Sequence, residues 1–158
     1  MKTLAALSVI AIGVGICAAA DQAPQNITGT WNLNVNKSSW GKKLKPQSST
    51  VHVEHNDPAL KYSGTVVNAT GEPNTNFEFE GAIDGKPYPV KTPSGDGTRV
   101  YKRVDAYTVT AETKSNDGKF VETARNTVSK DGKVLTRKIQ VKGPQGNSSW
   151  TEVYEKQL

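Results

Sequence analysis

The stretch that decides the fold is residues 121–142, VETARNTVSKDGKVLTRKIQVK. Apolar and polar residues alternate on either side of Asp131-Gly132, a pair suited to a tight hairpin because both residues tolerate positive φ. With the turn there, Val128 faces Leu135, Asn126 faces Arg137 and Ala124 faces Ile139. Side chains alternate sides along a strand, so each turn position also fixes which residues share a face. A turn at Pro144-Gln145 then sets Leu135 against Tyr154, Arg137 against Glu152 and Ile139 against Trp150. In the other direction, Asp117-Gly118 sets Tyr107 against Val128, Val109 against Asn126 and Thr113 against Glu122. A turn at Asp105-Ala106 extends the series and sets Lys102 against Val109.

These hairpins agree on one inward face: Val100, Val104, Tyr107, Val109, Ala111, Phe120, Ala124, Val128, Leu135, Ile139, Val141, Trp150 and Tyr154. A slip of one residue scatters them over both faces. The same parity sends Lys102, Glu122, Asn126, Arg137 and Glu152 inward, with Lys102, Asn126, Arg137 and Glu152 on nearly one level. Buried charges are costly unless paired, and Arg137 directly opposes Glu152. Two readings of this belt stay open. It is a structural ion-pair network in a filled interior, or it orients the head group of a ligand. In the second case Tyr62, Phe77, Phe79 and Tyr107 form the apolar wall, a mixture that suits small-molecule sites.

The rest of the chain continues the pattern. Strands are expected at 28–35, 49–55, 59–69, 75–82, 86–90, 97–104, 106–115, 119–129, 133–142 and 148–156. Asp84-Gly85 and Gly71-Glu72-Pro73 supply further reversals, so each segment is expected to pair antiparallel with its neighbour. About eight to ten such strands with no helix between them favour closure into a single up-and-down all-β barrel, which removes exposed edges. A β-sandwich is the alternative, at the cost of longer crossing connections. Only 36–48 is long, and with Trp40 and Pro46 it reads as a flap over one end.

Ile27-Thr28-Gly29-Thr30-Trp31-Asn32-Leu33 resembles the first strand of calycins, the group of lipocalins and fatty-acid-binding proteins. The run from Thr28 through Lys37-Ser38, with Asp84-Gly85-Lys86-Pro87-Tyr88-Pro89-Val90, is similar to small secreted bacterial lipocalin-like proteins over nearly all of residues 21–158. The resemblance implies that Trp31 plugs a closed barrel end and that Gly29 allows close strand approach. Val153-Tyr154-Glu155-Lys156 is similar to the last strand of fatty-acid-binding proteins, where an Arg two residues before the Tyr helps grip a ligand carboxylate. Here that position holds Glu152, and the helix pair that lids those proteins has no counterpart in 36–48.

Residues 1–20 read as an export signal: Lys2, an apolar run from Leu4 to Ile16, and Ala18-Ala19-Ala20 before Asp21. The run is shorter than the roughly 20 residues a membrane span needs. Lipid anchoring at Cys17 is the alternative, disfavoured by the bulky Ile16 before it. The expected product is one periplasmic or secreted barrel domain, 21–158, lacking the chain's single cysteine. The formal net charge of +5 is scattered, apart from Lys42, Lys43 and Lys45, which excludes a nucleic-acid patch. His52 and His55 fall on opposite faces of a strand and are expected at the surface, out of reach of a shared metal. No serine sits in a nucleophile elbow and no Cys/His cluster exists, so the chain reads as a monomeric binder without cofactor rather than an enzyme. The ligand expected is a small apolar or amphipathic molecule; the alternative is an envelope interaction module with a filled barrel.

Overall fold

The computed structural model describes residues 22–71 and 74–157. The expected leader, 1–20, and Glu72-Pro73 of one expected turn lie outside the described residues. Ten antiparallel strands form one sheet: β1 (Gly29–Leu33), β2 (Ser48–Asn56), β3 (Ala59–Val67), β4 (Thr75–Ala82), β5 (Pro87–Thr92), β6 (Gly95–Asp105), β7 (Thr108–Ser115), β8 (Val121–Val128), β9 (Val134–Gly143) and β10 (Gly146–Lys156). The order β4-β3-β2-β1-β10-β9-β8-β7-β6-β5 is a meander that β1 closes by pairing with β10, at Trp31 with Lys156 and Leu33 with Tyr154. The sandwich alternative is thereby set aside.

The hairpins β7–β8, β8–β9 and β9–β10 carry the expected register: Val109 opposes Asn126, Asn126 opposes Arg137 and Arg137 opposes Glu152. The β6–β7 hairpin does not. Its turn lies at Ala106-Tyr107, because the Asp105 carboxylate accepts the Tyr107 amide at 2.8 Å. A bulge between Arg103 and Asp105 adds one residue, Val104, to β6. The two effects move the register by one, so Lys102 pairs with Thr110 and points to solvent. Val104 is 51% exposed rather than inward. Val100 shares the outward parity, and Arg99 and Tyr101 turn inward instead.

A second correction concerns β4 and β5, which do not pair despite the short Asp84-Gly85 turn between them. The turn amides bond elsewhere, Ile83 N to Pro58 O and Gly85 N to Tyr101 O. Pro87 and Pro89 share one parity of β5 and have no N–H to offer the open edge. Side chains close this seam. Tyr88 packs over Gly81, where an added Cβ would meet its ring at 2.6 Å, and stands edge-on to Phe79 at 6.1 Å.

One end of the barrel is closed by residues 22–28. Gln25 N donates to Ala106 O at 2.8 Å while Asn26 Nδ2 donates to His55 O at 3.0 Å, so the segment crosses from β2 to the β6–β7 turn. Beneath it Trp31 is fully buried, its indole N–H on Ile27 O at 2.9 Å, and Lys156 lies across Gly29 and over the Trp31 ring. His55 is buried there, against expectation, with Nε2 3.2 Å from Asp57, whose carboxylate also holds Arg103. Only His52 is exposed. At the opposite end the loop 34–47 runs beside β10, exchanging backbone hydrogen bonds between Ser39 and Thr151 at 2.8 and 2.7 Å. It occupies the edge of β10 that the short β1 leaves unpaired.

Candidate functional site

Strand alternation places two polar clusters inside the barrel. In the first, Arg99 of β6 donates through Nε to Thr113 Oγ1 at 2.7 Å, through Nη1 to the Tyr62 hydroxyl, and through Nη2 to Glu122 Oε1 at 3.4 Å. The Tyr62 hydroxyl also meets that of Tyr101 at 3.0 Å. In the second, Arg137 of β9 donates to Asn126 Oδ1 at 3.1 Å and to Glu152 Oε2 at 3.0 Å. Glu152 also accepts the Trp150 indole N–H at 2.7 Å, lies 3.4 Å from the Tyr154 hydroxyl and pairs with Lys43 at 3.5 Å. Lys43 reaches in from the 34–47 loop, its ammonium 4.1 Å from the Trp150 ring centroid.

Aromatic rings line the adjoining wall. Tyr62 stacks on Phe79 at 5.3 Å, Phe77 meets Tyr62 at 6.3 Å, and Phe79 meets Tyr101 edge-on at 5.2 Å. Phe77 lies over Gly64, its cross-strand partner, where a side chain would collide with the ring at 2.5 Å.

The electrostatics follow from depth and pairing. Burial works against the charged form of Arg137, but Glu152 and the neighbouring tyrosines outweigh it and hold the guanidinium more firmly protonated than usual. Burial likewise opposes ionisation of Glu152, and Arg137 and Lys43 reverse the balance, leaving its carboxyl below the ordinary range. Burial, then the Glu152 charge, pushes the Tyr154 hydroxyl upward. Although burial opposes its charge, 26% of the Arg137 side chain remains reachable by water. Arg99 and Glu122 each retain 18%.

The structure thus brings together Tyr62, Phe77, Phe79, Glu122, Asn126, Arg137, Glu152 and Tyr154 inside the barrel, and leaves Lys102 outside. Tyr107 sits half-buried in the turn at the closed end, its hydroxyl bonded to Gln22. Neither Arg99 and Tyr101 as interior groups nor Lys43 as a partner of Glu152 was legible in the sequence. The bulge at Val104, which no local pattern in the sequence announces, hides the first two. Two open clefts lie elsewhere, about 380 Å³ beside Glu54, His55 and Lys61, and about 340 Å³ beside Arg125, Ser129 and Lys138. Neither is lined by the Arg137 network. Among the described residues no group of His, Cys, Asp or Glu is arranged to hold a metal, and no helix is long and apolar enough to cross a membrane.

The fold finds counterparts among solved structures. The zebrafish ileal bile acid-binding protein complexed with cholic acid shares 12% identity, matching 82% of this chain and 98% of its own with a TM-score of 0.57. As-p18, an extracellular fatty acid binding protein, shares 15% identity over 85% of this chain and 98% of its own, at 0.56. The Schistosoma mansoni fatty acid binding protein in complex with arachidonic acid shares 14% over 84% and 96%, at 0.54. The chain has the calycin fold. No family model matches it, and no curated protein matches it in sequence. The likeness concerns the path of the chain. Inside this barrel a carboxylate, Glu152, stands among the donors.

Proposed function

We propose that the protein is an exported, non-enzymatic binder that holds a small apolar or amphipathic molecule inside its barrel. The observation that carries this reading is the convergence inside the barrel of Arg99, Glu122 and Arg137, each still partly reached by water, beside an aromatic wall. Solved proteins of the same shape whose names record bile acid or fatty acid binding support it. Residues 1–20 support export. The ligand's apolar part would lie against Tyr62, Phe77 and Phe79, with its polar end toward Arg137 and Asn126. Native mass spectrometry of the full chain, purified without organic solvent, tests this. A mass excess of one small molecule, lost on denaturation, is expected; an apo mass together with no uptake of neutral fluorescent amphiphiles would overturn the reading.

The Arg137–Glu152 pair favours a second reading, in which the interior network is structural and the molecule works through its outer surface. The same experiment separates the two.

A further inference from the structure

Four donors converge on one interior carboxylate. Arg137 and the Tyr154 hydroxyl lie at Glu152 Oε2, 3.0 and 3.4 Å away. Trp150 Nε1 and Lys43 Nζ lie at Oε1, 2.7 and 3.5 Å away. A guanidinium, an ammonium, an indole N–H and a phenol aimed at one point form an anion site, since charge-assisted donors of this kind are what a buried carboxylate requires. The loop 34–47 contributes Lys43 from outside the sheet, so the site is completed only with that loop in place.

We infer that this anion site is occupied by the protein's own Glu152, and that its occupancy makes the barrel select uncharged amphiphiles and refuse anionic ones. The selection rests on the binder reading above; the occupancy does not. An entering carboxylate or sulfonate would find its donors engaged and would meet the Glu152 charge at the same point, a repulsion built against the wrong ligand. A cation finds no better reception. Glu122 and Glu152 are each paired with an arginine, and Lys43 adds a further positive charge. A neutral head group avoids both conflicts, and the half-buried Leu135, Val141 and Trp150 leave it apolar surface nearby.

The test uses two probes with one ring skeleton, N-phenyl-1-naphthylamine and its sulfonate, 1-anilinonaphthalene-8-sulfonate, titrated into the full chain by fluorescence. The wild type should bind the neutral probe about tenfold or more tighter than the sulfonate. E152A opens the site, and E152Q removes the charge at constant volume should the alanine variant not fold. Either should raise sulfonate affinity about tenfold while leaving neutral affinity within about threefold, and adding Arg137→Leu should abolish that gain. Folded Glu152 variants with no gain in sulfonate binding, or a gain that survives the loss of Arg137, would overturn the inference. Should the wild type take up neither probe, the binder reading fails by itself, and the sulfonate gain still decides whether Glu152 fills an anion site.

Discussion

At the scale of single residues, Arg137 and Glu152 illustrate how a barrel tolerates charge: each is hydrogen-bonded on several sides, and no buried side-chain polar atom among the described residues lacks a partner. Removing one member is therefore worse than removing both. Arg137→Leu should cost about 3–5 kcal/mol in urea unfolding, because Glu152 stays buried without its partner, and Glu152→Leu in the same chain should restore much of it. A cost near zero would place the guanidinium in solvent. Gly97 is constrained from the other direction, since a Cβ there would meet the backbone carbonyl of Lys114 at 2.2 Å, an atom that cannot swing away. Gly97→Ala should accordingly lose about 1–3 kcal/mol by overpacking, whereas Ala at the open Gly118 position strains only its positive φ. Thermal melts of the two variants, compared for position rather than shape, read the difference.

Among the elements, β6 shows where the sequence ran out. The Asp-Gly turns, the Pro144-Gln145 turn and the alternation around them made the register of β7 through β10 legible, and the Arg137–Glu152 opposition with it. The bulge at Val104 was not legible, because one extra residue leaves the alternation intact on each side and changes only the parity between them. Reading across it put Lys102 where Arg99 and Tyr101 belong. Lys43 escaped for another reason: a loop has no period from which to tell that one of three nearby lysines reaches Glu152. Non-pairing of β4 and β5 was written in Pro87 and Pro89, alternate residues without donors, although the short turn argued the opposite. The bulge gives a sharp expectation. Val104→Ala, at a half-exposed position, should change stability by less than about 0.5 kcal/mol. Deleting Val104 removes the extra residue while Arg103 stays opposite Val109 and Lys102 opposite Thr110, so the variant should keep a cooperative transition by circular dichroism. Loss of that transition would show that the bulge, rather than the pairing on either side of it, holds β6 in place.

For the whole molecule, titration sets a window of stability. Asp84, Asp105, Asp117 and Asp131 accept turn hydrogen bonds that hold their carboxyls below the usual 3.8, and Glu152 is held below 4.5. Depressed carboxyl values stabilise the fold above their unfolded values, so that contribution shrinks as pH falls through about 4 and below. Tyr101 and Tyr154 act in the opposite sense: burial raises both above 10.0, so their contribution is complete below that value and lost above it. The melting temperature should form a plateau between these limits and drop on both sides; a flat profile down to pH 2 would contradict the pairing of Glu152. The seam beside β5 has a consequence for the order in which the wall can be assembled. Every strand pairing in the sheet joins neighbours in sequence except β1 with β10, which must wait for nearly the whole chain. Both partners of that contact lie near chain ends at the same mouth, where Gln157 N reaches Thr30 O at 2.8 Å. Linking those ends and opening the chain at Lys86 would rewrite the order as β5 through β10 followed by β1 through β4, with each strand beside its successor. That permutant keeps all the sheet's hydrogen bonds while its mean loop length falls, and stopped-flow refolding should find it faster than the natural order at similar equilibrium stability.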